Sequence, residues 1–130
     1  MIDFNFDSNC PIYIQLVEQL ELQIISGKIP PGGRLPSVRD FALQAKVNPN
    51  TMQRALAELE DLELIYTERT NGKFVTQDTK LLNQYRTHFA TIKIKKFLDE
   101  MSELGIESKT IIKLLKTKGG NQWVKPNPVH

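Results

Sequence analysis

The sequence predicts a mainly α (α+β) chain: a winged helix-turn-helix unit over residues 1–76, a two-helix region over 77–118 and a tail, 119–130. Three observations predict it. Three segments of helical apolar period lie close together, and only the tight turn AKVNPN separates the second from the third. Two short β-type runs around an Asn-Gly turn follow at once. From Thr79 the helical period returns and continues to Gly105.

Each element has a local reason. Residues 10–26 carry Tyr13, Leu16, Val17, Leu20 and Ile24 at helical spacing, with Asn9 as the expected cap and Pro11 in the first turn, where a missing N–H costs little. Gly27 is a stop signal, and KIPPGGRLPS (28–37) reads as a loop dense in Pro and Gly. Ser37 and Asp40 resemble a capping box opening a short second helix whose stripe is Val38, Phe41, Ala42 and Ala45. Asn48 caps the third helix, 49–62, and Pro49 takes its first position. Met52, Ala55, Leu56, Leu59 and Leu62 face inward there, which turns Asn50, Thr51, Gln53, Arg54 and Ala57 outward. LIYTE (64–68) and KFVT (73–76) are the strands of a hairpin turning at Thr70-Asn71-Gly72. Ser108 caps a last short helix with Ile111, Ile112, Leu114 and Leu115 on its apolar side. In the tail, GGNQWVKPNPVH, Trp123 reads either as a docking residue or as part of an unordered segment.

Composition removes several function classes. The chain has 130 residues and 14.9 kDa, enough for one domain with an appendage. Its 40% hydrophobic and 25% charged residues are those of a globular protein. No run approaches the ~18 apolar residues of a membrane span, and the N-terminus MIDFNFDSN has no basic-then-apolar signal pattern. A cytoplasmic protein without membrane association is expected. The single cysteine excludes a disulfide framework and a cysteine-based zinc site. Cys10 is expected as a small buried thiol. With only His88 and His130 beside it, neither a metal site nor a cofactor is expected. Paired His/Cys residues, a phosphate loop and a nucleophile with a base are all missing from the sequence, so no enzyme is expected.

Charge is unevenly placed. Residues 1–76 hold seven Lys and Arg against ten Asp and Glu, a net −3, whereas residues 77–130 hold ten against five, a net +5. Within the first part, Lys28, Arg34, Arg39, Lys46 and Arg54 stand against Asp40 alone, and Glu58, Glu60, Asp61 and Glu63 follow. A basic stretch beside an acidic one is compatible with an oriented nucleic-acid surface.

A helix-turn-helix places the N-terminal residues of its recognition helix at base edges in the major groove. Here those residues are Asn48, Asn50, Thr51, Gln53 and Arg54. Asn and Gln can pair bidentately with adenine and Arg with guanine, and Thr51 can bond a phosphate or touch a thymine methyl. Ser37 is a cap and a candidate phosphate donor. Arg34 and Lys28 are loop charges near the backbone, and Arg69, Asn71, Gly72 and Lys73 are the wing-tip candidates. The alternative is a winged-helix module for protein–protein contact without DNA. Apolar anchors on the outer face of 48–54 would favour it, and that face is polar and basic.

Several separated segments resemble one family. IISGKIPPGGRLPSVRDFA, with PIYIQL upstream, VNPNTMQRALAEL downstream and GKFV at the wing, resembles the signature of GntR-family bacterial transcription regulators over roughly residues 10–76. The short helical C-terminal part resembles the YtrA type, since the 54 residues after Thr76 cannot hold the larger domains of other branches. The resemblance implies a DNA-binding regulator, a repressor acting on double-stranded DNA, and its pattern LPSxR puts Arg39 at the DNA. Glu63 departs from the family pattern, which has Gly before the Leu-Ile that opens the wing.

The apolar residues Leu82, Tyr85, Phe89, Ile92, Phe97, Met101 and Leu104 are expected to form a homodimer seam. A unit of ~75 residues has a marginal core of its own, and a long amphipathic helix outside it needs a partner. Two-fold symmetry would then present two recognition helices to a palindrome. Lys93, Lys95 and Lys96 mark the solvated side of that helix. Two helices alone cannot enclose a drug-sized pocket of ~300 Å³, so a small-molecule effector is either missing or held in a dimer crevice.

Overall fold

The computed structural model describes residues 2–119. They form, in order, α1 (Ile12–Ile25), α2 (Val38–Ala45), α3 (Pro49–Asp61), β1 (Ile65–Glu68), β2 (Gly72–Val75), α4 (Thr79–Glu103) and α5 (Ser108–Leu114), which runs on into a π-type turn, Leu115–Gly119. The chain divides into two compact units, Met1–Thr87 and His88–His130. Trp123 and the rest of the tail from 120 lie outside the described residues.

In the first unit the three helices bury the stripes expected of them. Leu16, Leu20 and Ile24 of α1, Phe41 of α2, and Met52, Leu56 and Leu59 of α3 are all removed from solvent, with Leu64 and Val75 of the wing beneath them. Capping holds α2 and α3 where Ser37 and Asn48 predicted. The Ser37 hydroxyl accepts the Asp40 N–H at 3.1 Å, and the Asn48 side-chain oxygen accepts the Asn50 N–H at 2.7 Å. At α1 the cap differs: Pro11 occupies the N-cap in an extended conformation, and Asn9 lies outside the helix with its N–H donated to Asp7 Oδ1 at 2.9 Å.

Two helices of this unit end by the same device. At α2 the Lys46 backbone is left-handed (φ 57°), the Val47 N–H reaches Ala42 C=O at 3.0 Å and the Lys46 N–H reaches Leu43 C=O at 3.2 Å. At α3, Glu63 is left-handed (φ 64°), with Leu64 N–H on Leu59 C=O at 3.0 Å and Glu63 N–H on Glu60 C=O at 2.9 Å. These paired bonds satisfy carbonyls that the helix end would otherwise orphan. The second of them accounts for the position where Glu63 replaces the family's Gly. The turn requires positive φ, and a side chain there costs about 1–2 kcal/mol.

The hairpin pairs β1 with β2 antiparallel, from Ile65 opposite Val75 to Glu68 opposite Gly72. The loop expected over 28–37 is more ordered than its composition suggests. Its second half runs along the free edge of β2, with Gly32 N–H on Val75 C=O (2.9 Å), Val75 N–H on Gly33 C=O (2.8 Å), Leu35 N–H on Lys73 C=O (2.8 Å) and a bridge between Arg34 and Phe74. That edge carries open donors and acceptors, and a chain that must cross it gains by filling them.

Residues ahead of α1 are also built in. Gln15 and Gln19 of α1 clasp the backbone of Asp7 and Asn5 with amide bonds of 2.6–3.3 Å, and Phe4 stands edge-on to Phe41, 6.1 Å between centroids. Cys10, in this segment, is exposed. The expectation of a buried thiol is therefore corrected: the residue precedes the helix rather than sitting on its inward face.

Leu82 and Tyr85, expected in the seam, are used within the first unit. Leu82 is 3% exposed, and the Tyr85 hydroxyl donates to Leu62 C=O at 3.0 Å. Arg86 adds a bond of 2.7 Å to Ile25 C=O. The first turns of α4 thus close the base of the winged unit beyond the expected boundary at Thr76.

The second unit is different in kind. Among its described residues Ile111 is the only buried apolar side chain. Ile92, Phe97 and Leu104 stay 50%, 38% and 68% exposed, and Phe89 and Met101 are half-buried. An open apolar groove of about 540 Å³ runs between α4 and α5, lined by Ile94, Phe97, Leu98, Ile111, Ile112 and Leu115. No helix of the described residues is long and apolar enough to cross a membrane.

Candidate nucleic-acid interface

Pro49 at the first position of α3 and the Asn48 cap leave the N-terminal turn of that helix open to solvent. Asn48, Asn50, Gln53 and Arg54 are exposed and Thr51 is half-buried, while Met52, Ala55 and Leu56 between them are buried. The helical period therefore separates a polar outer face from a core-facing stripe within two turns. Arg39 is exposed in the first turn of α2, two residues after the Ser37 cap.

The wing brings a second group together. A cleft of about 280 Å³ is lined by Arg34, Ser37, Arg69, Thr70, Gly72 and Lys73 among others, so the N-terminus of α2 and the hairpin turn share one surface. Gly72 has φ +104°, and a Cβ there would lie 3.5 Å from the Arg34 guanidinium. Arg34 reaches the turn because its backbone is bridged to β2. Asn71 is tied into the turn, its amide donating to Glu68 Oε2 at 3.0 Å.

The cations of this surface fall into two groups. Arg34, Arg39 and Arg69 are exposed and form no ion pair or side-chain hydrogen bond with another described residue. Lys73 and Arg54 are engaged. Lys73 Nζ lies 3.3 Å from Glu60 Oε1 and 2.8 Å from the Thr67 hydroxyl, which itself donates to Glu60 at 2.8 Å. The Thr67 hydrogen bond, with help from Lys73 against the cost of burial, holds the Glu60 carboxyl below the ordinary carboxylate value. The Arg54 guanidinium carbon lies over the ring of Tyr13 of α1, 4.0 Å from its centroid, and the Tyr13 hydroxyl donates to Glu58. That hydrogen bond, more than burial, pushes the phenol pKa up.

Sequence reasoning placed Tyr13 only as a core residue and had no means of pairing it with Arg54. Lys73 read as a wing-tip candidate, and its pairing with Glu60 went unseen because Glu60 lies on another element. The sequence signals for the remaining positions, a cap and a Pro at a helix start, are local and are found where they pointed.

The arrangement matches a known family. The model of "Bacterial regulatory proteins, gntR family" covers residues 12–75, from the first residue of α1 to the last of β2. The chain is 34% identical over 116 residues to the HTH-type transcriptional regulator YhcF of Bacillus subtilis, covering 89% of this chain and 96% of that protein. The chain belongs to the GntR family. It is 30% identical over 128 residues to the HTH-type transcriptional repressor YtrA of Bacillus subtilis, with 94% and 98% of the two chains covered. Among solved structures, a GntR family transcriptional regulator from Listeria monocytogenes superposes with a TM-score of 0.77 at 42% identity, over 86% of this chain and 98% of that one. This GntR chain is accordingly a DNA-binding transcription regulator of the winged helix-turn-helix class, and the likeness to YtrA runs through the C-terminal helices as well as the winged unit.

Proposed function

We propose that this GntR regulator is a cytoplasmic repressor that binds a palindromic operator as a homodimer. Its DNA contacts come from the outer face of α3 and the α2–wing cleft. The observation that carries the reading is the set of exposed guanidinium groups, Arg34, Arg39 and Arg69, unpaired among the described residues, beside a polar helix N-terminus. Unpaired cations on a fold of this class are free to replace counterions on phosphates and to pair with base edges. Asn48, Asn50, Thr51 and Gln53 supply base-edge contacts. Ser37, Arg34 and Arg69, with Asn71 and Gly72 at the wing turn, supply backbone contacts, and Arg39 reaches the DNA from α2. Lys73 contributes less, because binding must first release it from Glu60.

Dimerisation is assigned to residues 88–117. Exposed Ile92, Phe97 and Leu104 and the adjoining groove leave more apolar surface than two helices can cover. The relative YtrA is named a repressor, and repression by occupying an operator needs no catalytic group, so the chain works by binding rather than by catalysis. A small-molecule effector, if one exists, binds between subunits. Selection of bound duplexes from a random pool by the purified chain tests the reading. An enriched palindrome with half-sites about one helical turn (~34 Å) apart supports it. Failure to enrich any sequence, or a single asymmetric half-site, overturns the palindromic reading.

A further inference from the structure

We propose that Tyr13 of α1 is a positioning residue for operator recognition: its ring seats the Arg54 guanidinium so that the outer N–H edge of that group is presented from α3. The inference rests on the reading that this face of α3 meets DNA. Its basis is the contact between two helices that no local signal connects. The guanidinium carbon of Arg54 lies 4.0 Å from the Tyr13 ring centroid. The ring is itself held, because its hydroxyl donates to Glu58, one turn further along α3. Tyr13 therefore spans two residues of one helix face, packing under Arg54 and hydrogen-bonding beyond it.

A guanidinium seated over a ring keeps the N–H groups that point away from the ring free for a bidentate partner, while a side-chain hydrogen bond also ties Arg54 to Tyr13. Arg54 remains exposed in this arrangement, and Tyr13 is half-buried beneath it. A clasp whose purpose was to join α1 to α3 would be buried, and the two helices already pack together, with Leu16 and Leu20 of one and Leu56 and Leu59 of the other buried. An exposed cation–π contact adds little to a core of that size. What it does change is the spread of a long, flexible side chain, which otherwise must be ordered when DNA binds.

The test uses the full chain and the duplex that the wild-type protein selects from a random pool. Affinities are measured for Tyr13→Leu, Tyr13→Phe, Arg54→Ala, Arg54→Lys and the double variant Tyr13→Leu/Arg54→Ala, and the selection is repeated with each. Thermal unfolding is followed in parallel. Tyr13→Leu is expected to weaken binding about two- to five-fold and to relax preference at the same base pair that Arg54→Ala and Arg54→Lys relax. It should add almost nothing in the Arg54→Ala background, and Tyr13→Phe, which keeps the ring, should retain the preference. Additive losses overturn the inference. So does a Tyr13→Leu variant that melts earlier yet selects the wild-type site unchanged, which is the behaviour of a purely structural contact. Wild-type affinity in both Arg54 variants while Arg39→Ala is impaired overturns it alone; a wild-type protein that selects no duplex overturns the reading beneath it.

Discussion

Two residues of one helix, Leu82 and Phe97, should respond to substitution in opposite ways. Leu82 is 3% exposed within the first unit, where Tyr85 and Arg86 tie the same helical turns to Leu62 and Ile25. Truncation of a buried Leu to Ala costs about 2–5 kcal/mol. For a domain of this size that shift corresponds to a loss on the order of 10 °C or more in melting temperature. Because the lost contacts are internal, the loss should not depend on protein concentration. Phe97 is 38% exposed and lines the open groove of the second unit. Phe97→Ala should leave the melting of the winged unit in place, while a hot-spot loss of about 2 kcal/mol or more weakens the dimer roughly thirty-fold. Thermal unfolding at two concentrations a hundred-fold apart, paired with sedimentation velocity, separates the two cases. A Leu82→Ala variant that melts like the wild type, or whose deficit disappears at the higher concentration, would refute the reasoning and return Leu82 to the seam.

Arg39→Ala should weaken specific DNA binding by about 1–3 kcal/mol, read by fluorescence anisotropy, with no change in melting temperature, since Arg39 is exposed and has no ion pair or side-chain hydrogen bond with another described residue. Glu63→Gly should raise stability by about 1 kcal/mol in denaturant titrations, because a positive φ of 64° costs Glu more than Gly; an unchanged midpoint would show that the left-handed turn carries no strain. Glu21 has its pKa raised, first by burial and then by Glu58 and Glu18. A carboxyl raised on folding costs stability while it is ionised, and the cost vanishes as pH falls below its unfolded value of about 4.5. Glu21→Gln should therefore raise the melting temperature at pH 7, with the gain shrinking to nothing near pH 4.

Much of the fold was legible because its punctuation is local. Ser37, Asn48 and Pro49 act within three residues of themselves, and the alternation of Met52, Ala55, Leu56 and Leu59 states which face of α3 is buried without reference to anything else. The winged helix-turn-helix class followed from three such helices and the hairpin after them, and the family from the resemblance of the segments around them. What stayed illegible depends on partners far apart in the chain. The stretch 28–37 looked like a loop because Pro and Gly make up much of it, yet the open edge of β2 gives partners to backbone N–H and C=O groups in its second half. Leu82 and Tyr85 belong to the same apolar stripe as Phe97, and periodicity cannot say that the stripe changes from a covered surface to an uncovered one along a single helix.

The same division governs the candidate interface. A count of Lys and Arg treats Arg34, Arg39, Arg54, Arg69 and Lys73 as equal, but a cation's worth to a polyanion depends on what it must first give up. Lys73 would exchange Glu60 and Thr67 for a phosphate, a trade of one charged contact for another that gains little. Arg34, Arg39 and Arg69 have no partner among the described residues and give up water there. Arg54 also gives up water at its outer edge, but it need not leave its seat over Tyr13, which makes it the cation whose contribution rests most on geometry and least on charge. Raising salt should then separate them: the contribution of the unpaired arginines falls steeply as counterions compete for the phosphates, whereas a base preference set by a stacked guanidinium persists after much of the affinity is lost.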